Sequence, residues 1–159
     1  MSLKALVASS FFALLPPLDA PTRTEMEHWR SDVRRMEREL ASIGNDSDID
    51  VATNLARMEA HLHWVRAVIC KQCEPGQLAP SVYDDFEQTC GEGTVTTSLS
   101  SEEYARRMAR GTHWMRDHLA HMSREKSPYE RRRLGYIYYN RIRDFIEQAK
   151  PACRDTDSN

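Results

Sequence analysis

The sequence predicts an all-α protein, a four-helix bundle built from two helical hairpins. Two observations lead to this prediction. Apolar residues recur at helical spacing in four separate segments, and residues that cap or break helices flank each segment. Short links join the first two segments and the last two, which makes each pair antiparallel neighbours. The simplest arrangement is an up-down-up-down bundle with a long, cysteine-containing connection between the second and third helices.

The first two helices are predicted from apolar residues three and four positions apart, which lie on one face of a helix. A capping box of Thr22 and Glu25, or one of Thr24 and Glu27, can start the first helix, and Gly44 can end it. Asp48 or Asp50 can cap the second helix, and a glutamate-proline-glycine sequence ends it. The predicted core positions are Met26, Trp29, Val33, Met36, Leu40 and Ile43 in the first helix, and Val51, Leu55, Met58, Leu62, Val65 and Ile69 in the second.

The third and fourth helices are predicted from the same period and from clear starting signals. Ser100 and Glu103 form a capping box for the third helix, and Ser127 and Glu130 form one for the fourth. Pro151 closes the fourth helix. The predicted core positions are Tyr104, Met108, Gly111, Met115, His118 or Leu119, and Met122 in the third helix, and Gly135, Tyr138, Ile142, Phe145 and Ala149 in the fourth, flanked by Leu134, Ile137 and Ile146.

Residues 1–20 have the layout of a secretory signal peptide. Lys4 precedes an uncharged apolar run over residues 5–15, which is too short to span a bilayer. The alternative is an apolar strap that packs against the bundle. The signal interpretation predicts a periplasmic or secreted protein with one helical domain over residues 21–153 and a disordered tail over residues 154–159.

The four cysteines are predicted to gather at one end of the bundle, because the second and fourth helices of the predicted topology end there. In an exported protein they would form two disulfides. The favoured pairing joins one of Cys70 and Cys73 to Cys90, and the other to Cys153. In a reducing compartment the same cysteines would be a candidate zinc site with four thiolate ligands.

A second candidate metal site lies on the third helix, which is rich in methionine and histidine. His113, Met115, His118 and Met122 offer the imidazole and thioether ligands that copper can use together. The alternative is that the methionines fill the core and the histidines lie at the edges of the apolar face. No other cofactor is expected.

Charge and motifs exclude several classes of function. The net charge of −2 provides no general attraction to nucleic acid. The sequence contains neither a Gly-x-Ser-x-Gly nucleophile motif nor a glycine-rich phosphate-binding loop, and no apolar run after residue 20 is long enough to cross a membrane. We therefore expect neither an enzyme nor a nucleic-acid-binding or membrane-spanning protein.

The fourth helix carries a cluster of arginine and tyrosine, two residue types that are enriched at binding hot spots. Arg131, Arg132, Tyr136 and Tyr139 are the predicted docking residues, although such a cluster is more often a solvated face paired with acids. The sequence thus favours an exported helical module that binds another protein without catalysis, for example an inhibitor or an immunity-type protein. The alternative is a metal-binding protein, with zinc at the cysteines or copper on the third helix.

Overall fold

The computed structural model of the protein describes residues 20–43, 48–70 and 94–154. The described part is mostly helical, as predicted, and forms a helical bundle with two short strands beside it. In chain order the elements are α1 (Arg23–Ser42), α2 (Asp48–Ile69), β1 (Thr94–Thr97), α3 (Ser101–Arg124), α4 (Pro128–Gln148) and β2 (Pro151–Arg154).

Several sequence predictions lie outside the described residues. They are residues 1–19 of the predicted signal peptide (1–20), the stop at Gly44, the positions of Cys73 and Cys90, and residues 155–159 of the predicted tail (154–159). The first residue predicted for that tail, Arg154, instead belongs to β2. The boundary of the folded domain was therefore placed one residue too early.

Three helices begin with the hydrogen bonds that their sequences predict. At α1 the Thr22 amide donates to Glu25 Oε2 (2.7 Å), and the Glu25 amide donates to Thr22 Oγ1 (3.2 Å), which completes the capping box. Ser100 accepts from the Glu103 amide at 3.2 Å, and Ser127 accepts from the amide three residues on at 3.3 Å. These bonds satisfy amides that the first turn of a helix leaves without partners.

The core of the bundle consists of the residues that share the predicted apolar faces. The core positions predicted for the four helices are buried, including the two glycines, with two exceptions: His118 is half-buried and Ile137, which flanks the apolar face of α4, is exposed. The largest fully buried side chains are Trp29, Tyr104, Tyr138 and Tyr139. The period of the sequence therefore identifies the buried face of each helix correctly.

The direction of α3 differs from the predicted one. Arg23 at the start of α1 and Arg124 at the end of α3 line the same cavity. Further along, Glu37 of α1 forms an ion pair with Arg116 of α3 (3.3 Å). The two helices therefore run antiparallel, whereas the first and third helices of an up-down-up-down bundle run parallel. The prediction of that topology is wrong.

Contacts of α2 establish the topology that the bundle has instead. The hydroxyl of Tyr104, at the start of α3, donates to Asn54 Oδ1, near the start of α2 (2.8 Å). A Cβ placed on Gly135, near the start of α4, would lie 2.9 Å from Cγ2 of Ile69, the last residue of α2. Helices α2 and α3 are thus parallel, α2 and α4 are antiparallel, and the bundle runs up-down-down-up.

The direction of α3 was predicted wrongly because the connection between Ile69 and Thr94 is long. A short link forces two helices to be antiparallel, but a long one allows the next helix to start at either end of the bundle. An extended chain spans about 3.3 Å per residue, and a helix rises only about 1.5 Å per residue. The connection is therefore long enough to cover the full length of α2.

Two strands that were not predicted join the start of α3 to the end of α4. β1 and β2 pair antiparallel, with Val95 opposite Cys153. Lys150 has a φ of 47°, a left-handed conformation that turns the chain from α4 into β2. The Ser98 amide donates to the Lys150 carbonyl (3.3 Å), which continues the pairing towards α3.

Candidate functional site

A polar and aromatic cluster lies inside the bundle, where α1, α2, α3 and α4 meet. At its centre is His61 of α2, which is 2% exposed. His61 Nδ1 lies 3.2 Å from Asp32 Oδ2, and His61 Nε2 lies 3.0 Å from the Tyr138 hydroxyl. We call this group, together with the rings that surround Tyr138, the His61 cluster. It links a partly exposed carboxylate on α1 to a fully buried hydroxyl on α4.

Four aromatic rings surround that hydroxyl-bearing ring. Trp29 and Trp114 stack on Tyr138 with centroid distances of 5.8 and 6.1 Å, and His118 stacks on it at 5.7 Å. His61 meets the same ring edge-on. Such ring pairs contribute about 0.5–1.5 kcal/mol beyond the apolar area that they bury. The cluster therefore connects all four helices through one tyrosine.

The order carboxylate, imidazole, hydroxyl is the one that activates nucleophiles in hydrolases. Here burial, with a smaller contribution from the Asp32 charge, raises the pKa of Tyr138 well above its ordinary value. A hydroxyl that is fully buried and disfavoured as an anion is poorly suited to attack a substrate. The arrangement instead ties α1, α2 and α4 together and satisfies three polar groups.

Asp32, the acidic member of the His61 cluster, is stabilised as the carboxylate anion. The hydrogen bond with His61 is the main cause that lowers the pKa of Asp32; partial burial opposes it, and the charges of His61, Arg35 and His28 add to it. On the other side of Tyr138, burial lowers the pKa of His118, although a hydrogen bond with the Leu134 carbonyl (2.9 Å) works against the effect. Both groups hold protons less readily in the folded chain.

Acidification is therefore expected to destabilise the protein in two steps. As the pH falls below about 6.5, the unfolded chain gains a proton at His118 that the folded chain resists. Below about pH 4 the same happens at Asp32, and its contribution is lost as the pH passes through the lowered pKa. Urea unfolding at pH 7, 5 and 3 measures both steps. His118→Gln should reduce the loss of stability between pH 7 and 5, and His113→Gln, at an exposed position, should leave it unchanged; equal slopes in the two variants would contradict the assignment.

The predicted copper ligands on α3 have different surroundings. Met115 and Met122 are fully buried in the core, and His118 belongs to the His61 cluster. The His113 side chain is 64% exposed and lies 3.3 Å from Asp117. Among the described residues, no group of three or more histidine, cysteine, aspartate or glutamate side chains is placed to hold a metal ion. With both methionines in the core and the two histidines in different surroundings, the described residues do not favour the copper hypothesis.

The two described cysteines differ from the arrangement that was predicted. Cys70 follows the last turn of α2 and Cys153 lies in β2, and each takes part in a disulfide. Because α2 and α4 end at opposite ends of the bundle, Cys70 and Cys153 lie far apart, and the prediction that all four thiols gather at one end is wrong. A zinc site would require both of these cysteines to be reduced. The favoured pairing involves Cys73 and Cys90, which lie outside the described residues, and it stays a prediction.

The predicted docking residues on α4 divide into three kinds. Tyr139 is fully buried, so its assignment to an exposed surface is wrong. Arg131 is half-buried, and its Nη1 donates to the carbonyls of Glu125 and Lys126 (both 3.1 Å). Arg132 donates to the Tyr136 hydroxyl (2.8 Å), and its guanidinium lies 5.1 Å from that ring's centroid. The predicted set therefore contains one core residue, one residue bonded to the turn before α4, and two half-buried residues that contact each other.

The exposed side of α4 is formed by other residues, four positions apart. Tyr129 is 66% exposed and Ile137 is 41% exposed. Arg133 and Arg141 continue the same spacing, with side chains 58% and 48% exposed. Residues four apart on a helix share a face. We call this set, Tyr129, Arg133, Ile137 and Arg141, the α4 outer face.

Sequence reasoning missed the role of His61, although a signal for it was present. His61 follows Met58 by three positions and precedes Val65 by four, so it lies on the apolar face of α2. A histidine on a buried face needs hydrogen-bond partners. The spacing could have predicted a buried, bonded histidine, but it carries no information about which helices supply the partners.

The comparisons with known proteins found no matching family model, no matching curated protein and no matching solved structure. Among the described residues, no helix is both long and apolar enough to cross a membrane.

Proposed function

We propose that this protein is an exported helical module that binds another protein through the α4 outer face and has no catalytic activity. The observation that carries the proposal is the composition of that face. Of the three large apolar side chains exposed among the described residues, two lie on it, at Tyr129 and Ile137. Arg133 lies between them on the same face, and tyrosine and arginine are residue types that dominate binding hot spots.

The charge of this face supports a partner with acidic groups around an apolar recess. Arg133 and Arg141 are both exposed, and each has one carboxylate neighbour on the same helix, Glu130 at 2.8 Å and Asp144 at 3.9 Å. Exposed pairs of this kind are worth only about 0–1 kcal/mol, so a partner's carboxylates can replace them at little cost. Opposite charge also accelerates the encounter of two proteins. An inhibitor or immunity-type protein acts by this kind of docking.

Two observations support the other parts of the proposal. The leader-like pattern of residues 1–20 and the disulfides of Cys70 and Cys153 support export, since disulfides persist in oxidising compartments. The enclosed hydroxyl and the raised pKa of Tyr138 support a structural role for the His61 cluster, the arrangement that most resembles catalytic machinery. The α4 outer face is then the surface to test.

The test begins with protein expressed from its full reading frame and recovered from the periplasm, where loss of about twenty N-terminal residues in the intact mass would support export. A partner captured there is identified and purified, and its affinity is measured by calorimetry. Ile137→Glu is expected to weaken binding at least about tenfold, because it places a carboxylate at the centre of an apolar contact.

The matched control is Trp64→Glu on α2, where the exposed apolar side chain packs against the ring of His28 (centroid distance 5.4 Å). This variant introduces the same charge away from the α4 outer face and should change the affinity by less than about twofold. Equal effects of the two variants, or a protein that retains no partner at all, would overturn the proposal.

A further inference from the structure

A second surface, separate from the α4 outer face, carries an unusual concentration of positive charge. A cavity of about 380 Å³ lies where α1 begins and where α3 turns into α4. Four of the side chains that line it are cationic, namely Arg23, Arg124, Lys126 and Arg131. We call it the basic cavity. Its volume lies within the range of small-molecule sites, about 300–1,000 Å³.

Within the described part of the chain, acidic side chains offset little of the positive charge of the basic cavity. Among the described residues, none of its four cationic side chains forms an ion pair. Glu125 is the one acidic residue in the lining, and its Oε1 accepts a hydrogen bond from the Ser127 amide (3.0 Å). The lining therefore holds an excess of three positive charges, in a chain whose net charge is −2.

One of the four cations is held in place before any ligand arrives. Arg131 donates to three backbone carbonyls, from Nη1 to those of Glu125 and Lys126 (both 3.1 Å) and from Nε to that of Pro21 (3.4 Å). Carbonyl groups orient the guanidinium but leave its charge in place. A cation fixed in this way loses little conformational freedom when it binds an anion.

The other three cations line the same cavity as Arg131 and are exposed to solvent. Arg23, Arg124 and Lys126 are exposed and come from three different parts of the chain: the first turn of α1, the last turn of α3 and the link to α4. Guanidinium groups bind carboxylate and phosphate oxygens through paired hydrogen bonds, and ammonium adds a point charge. The set matches a ligand that carries more than one anionic group.

We propose that the basic cavity binds a small polyanion, a molecule in which two or more oxyanion groups, either phosphate or carboxylate, lie close together. Pyrophosphate and citrate represent the two forms of this chemistry and serve as probes. The site does not involve the α4 outer face, so its test is independent of the proposed docking function. It also requires no catalytic step.

The experiment measures binding of pyrophosphate and of citrate to the full chain by calorimetry at low ionic strength, and again at about 0.15 M salt, where exposed charges are partly screened. The probe that matches the site should bind saturably, one molecule per chain, and more weakly at the higher salt. The stronger of the two probes distinguishes a phosphate site from a carboxylate site. Absence of saturable binding by both probes would overturn the proposal.

The variant that tests the location is Arg23→Gln/Arg124→Gln/Lys126→Gln, which leaves the structural Arg131 intact. It is expected to weaken binding of the better probe at least about tenfold. The matched control, Arg34→Gln/Arg38→Gln/Arg110→Gln, removes three exposed arginines that do not line the cavity and alters the net charge equally. It should change the affinity by less than about twofold.

Equal losses in the two triple variants would show that the anion responds to net charge alone, and the proposal would then be wrong. Lys126→Gln alone guards against a folding defect in the triple variant. It removes one exposed side chain in the link between two helices and should weaken binding measurably while the unfolding midpoint stays unchanged. An unchanged affinity in both the single and the triple cavity variants would also exclude the site.

Discussion

Replacing His61 with leucine is expected to lower the free energy of unfolding by about 3 kcal/mol. Leucine fills much of the same space, but it leaves the fully buried Tyr138 hydroxyl without the ring nitrogen that lies 3.0 Å away. Leaving a buried polar group without a hydrogen-bond partner costs roughly 1–3 kcal/mol. The loss of the bond to Asp32 adds less, because that carboxylate is 28% exposed and can be hydrated. Urea unfolding monitored by circular dichroism measures the change.

The hydrogen bond can be separated from the packing by a double-mutant cycle. Tyr138→Phe removes the hydroxyl itself and leaves the buried His61 Nε2 without that partner, so it is expected to cost about 1–3 kcal/mol. With phenylalanine at 138 there is no hydroxyl to strand, so His61→Leu should then cost less than it does in the parent protein. His113→Leu, at an exposed position, is the matched control and should change stability by less than about 0.5 kcal/mol. Strict additivity of the two cluster variants would show that the bond between His61 and Tyr138 contributes nothing.

The part of the fold that follows from local sequence was predictable. Period and capping residues identified the four helices, because the hydrogen bonds and the buried face of a helix involve residues within a few positions of each other. The direction of α3 was not predictable in this way. It depends on contacts such as the one from Tyr104 to Asn54, fifty positions apart, and on a connection long enough to permit either direction.

The candidate sites were likewise predictable from the sequence only in part. The arginine-rich and tyrosine-rich helix α4 was predicted to carry the docking residues, but Tyr139 is buried, and the exposed apolar side chains of this helix are Tyr129 and Ile137. The spacing of apolar residues in α4 predicts a single narrow buried face. The helix packs against both α2 and α3, so its buried face is wider and includes Tyr138 and Tyr139. Burial of adjacent residues depends on how many neighbours a helix has, which its own sequence does not specify.

Replacing Trp29 with alanine is expected to have a larger effect than His61→Leu, about 3–5 kcal/mol. Trp29 is fully buried on α1, and its ring stacks on Tyr138 with a centroid distance of 5.8 Å. Alanine would leave a cavity in the centre of the bundle and remove one of the rings that position the tyrosine. Denaturant unfolding and the near-ultraviolet circular dichroism of the aromatic cluster measure the two consequences.

Trp29→Phe should be tolerated far better than its lost volume alone suggests. Among the described residues, no hydrogen-bond partner lies within reach of the buried Nε1 of Trp29. Phenylalanine keeps an aromatic ring against Tyr138 and removes this unsatisfied donor, whose burial itself costs roughly 1–3 kcal/mol. Removing this donor offsets much of the cost of the small cavity that phenylalanine leaves, so we expect the free energy of unfolding to fall by about 1 kcal/mol or less. If Trp29→Phe proved as damaging as Trp29→Ala, the indole nitrogen would have a partner in solution, and the interior of the His61 cluster would be more polar than its geometry indicates.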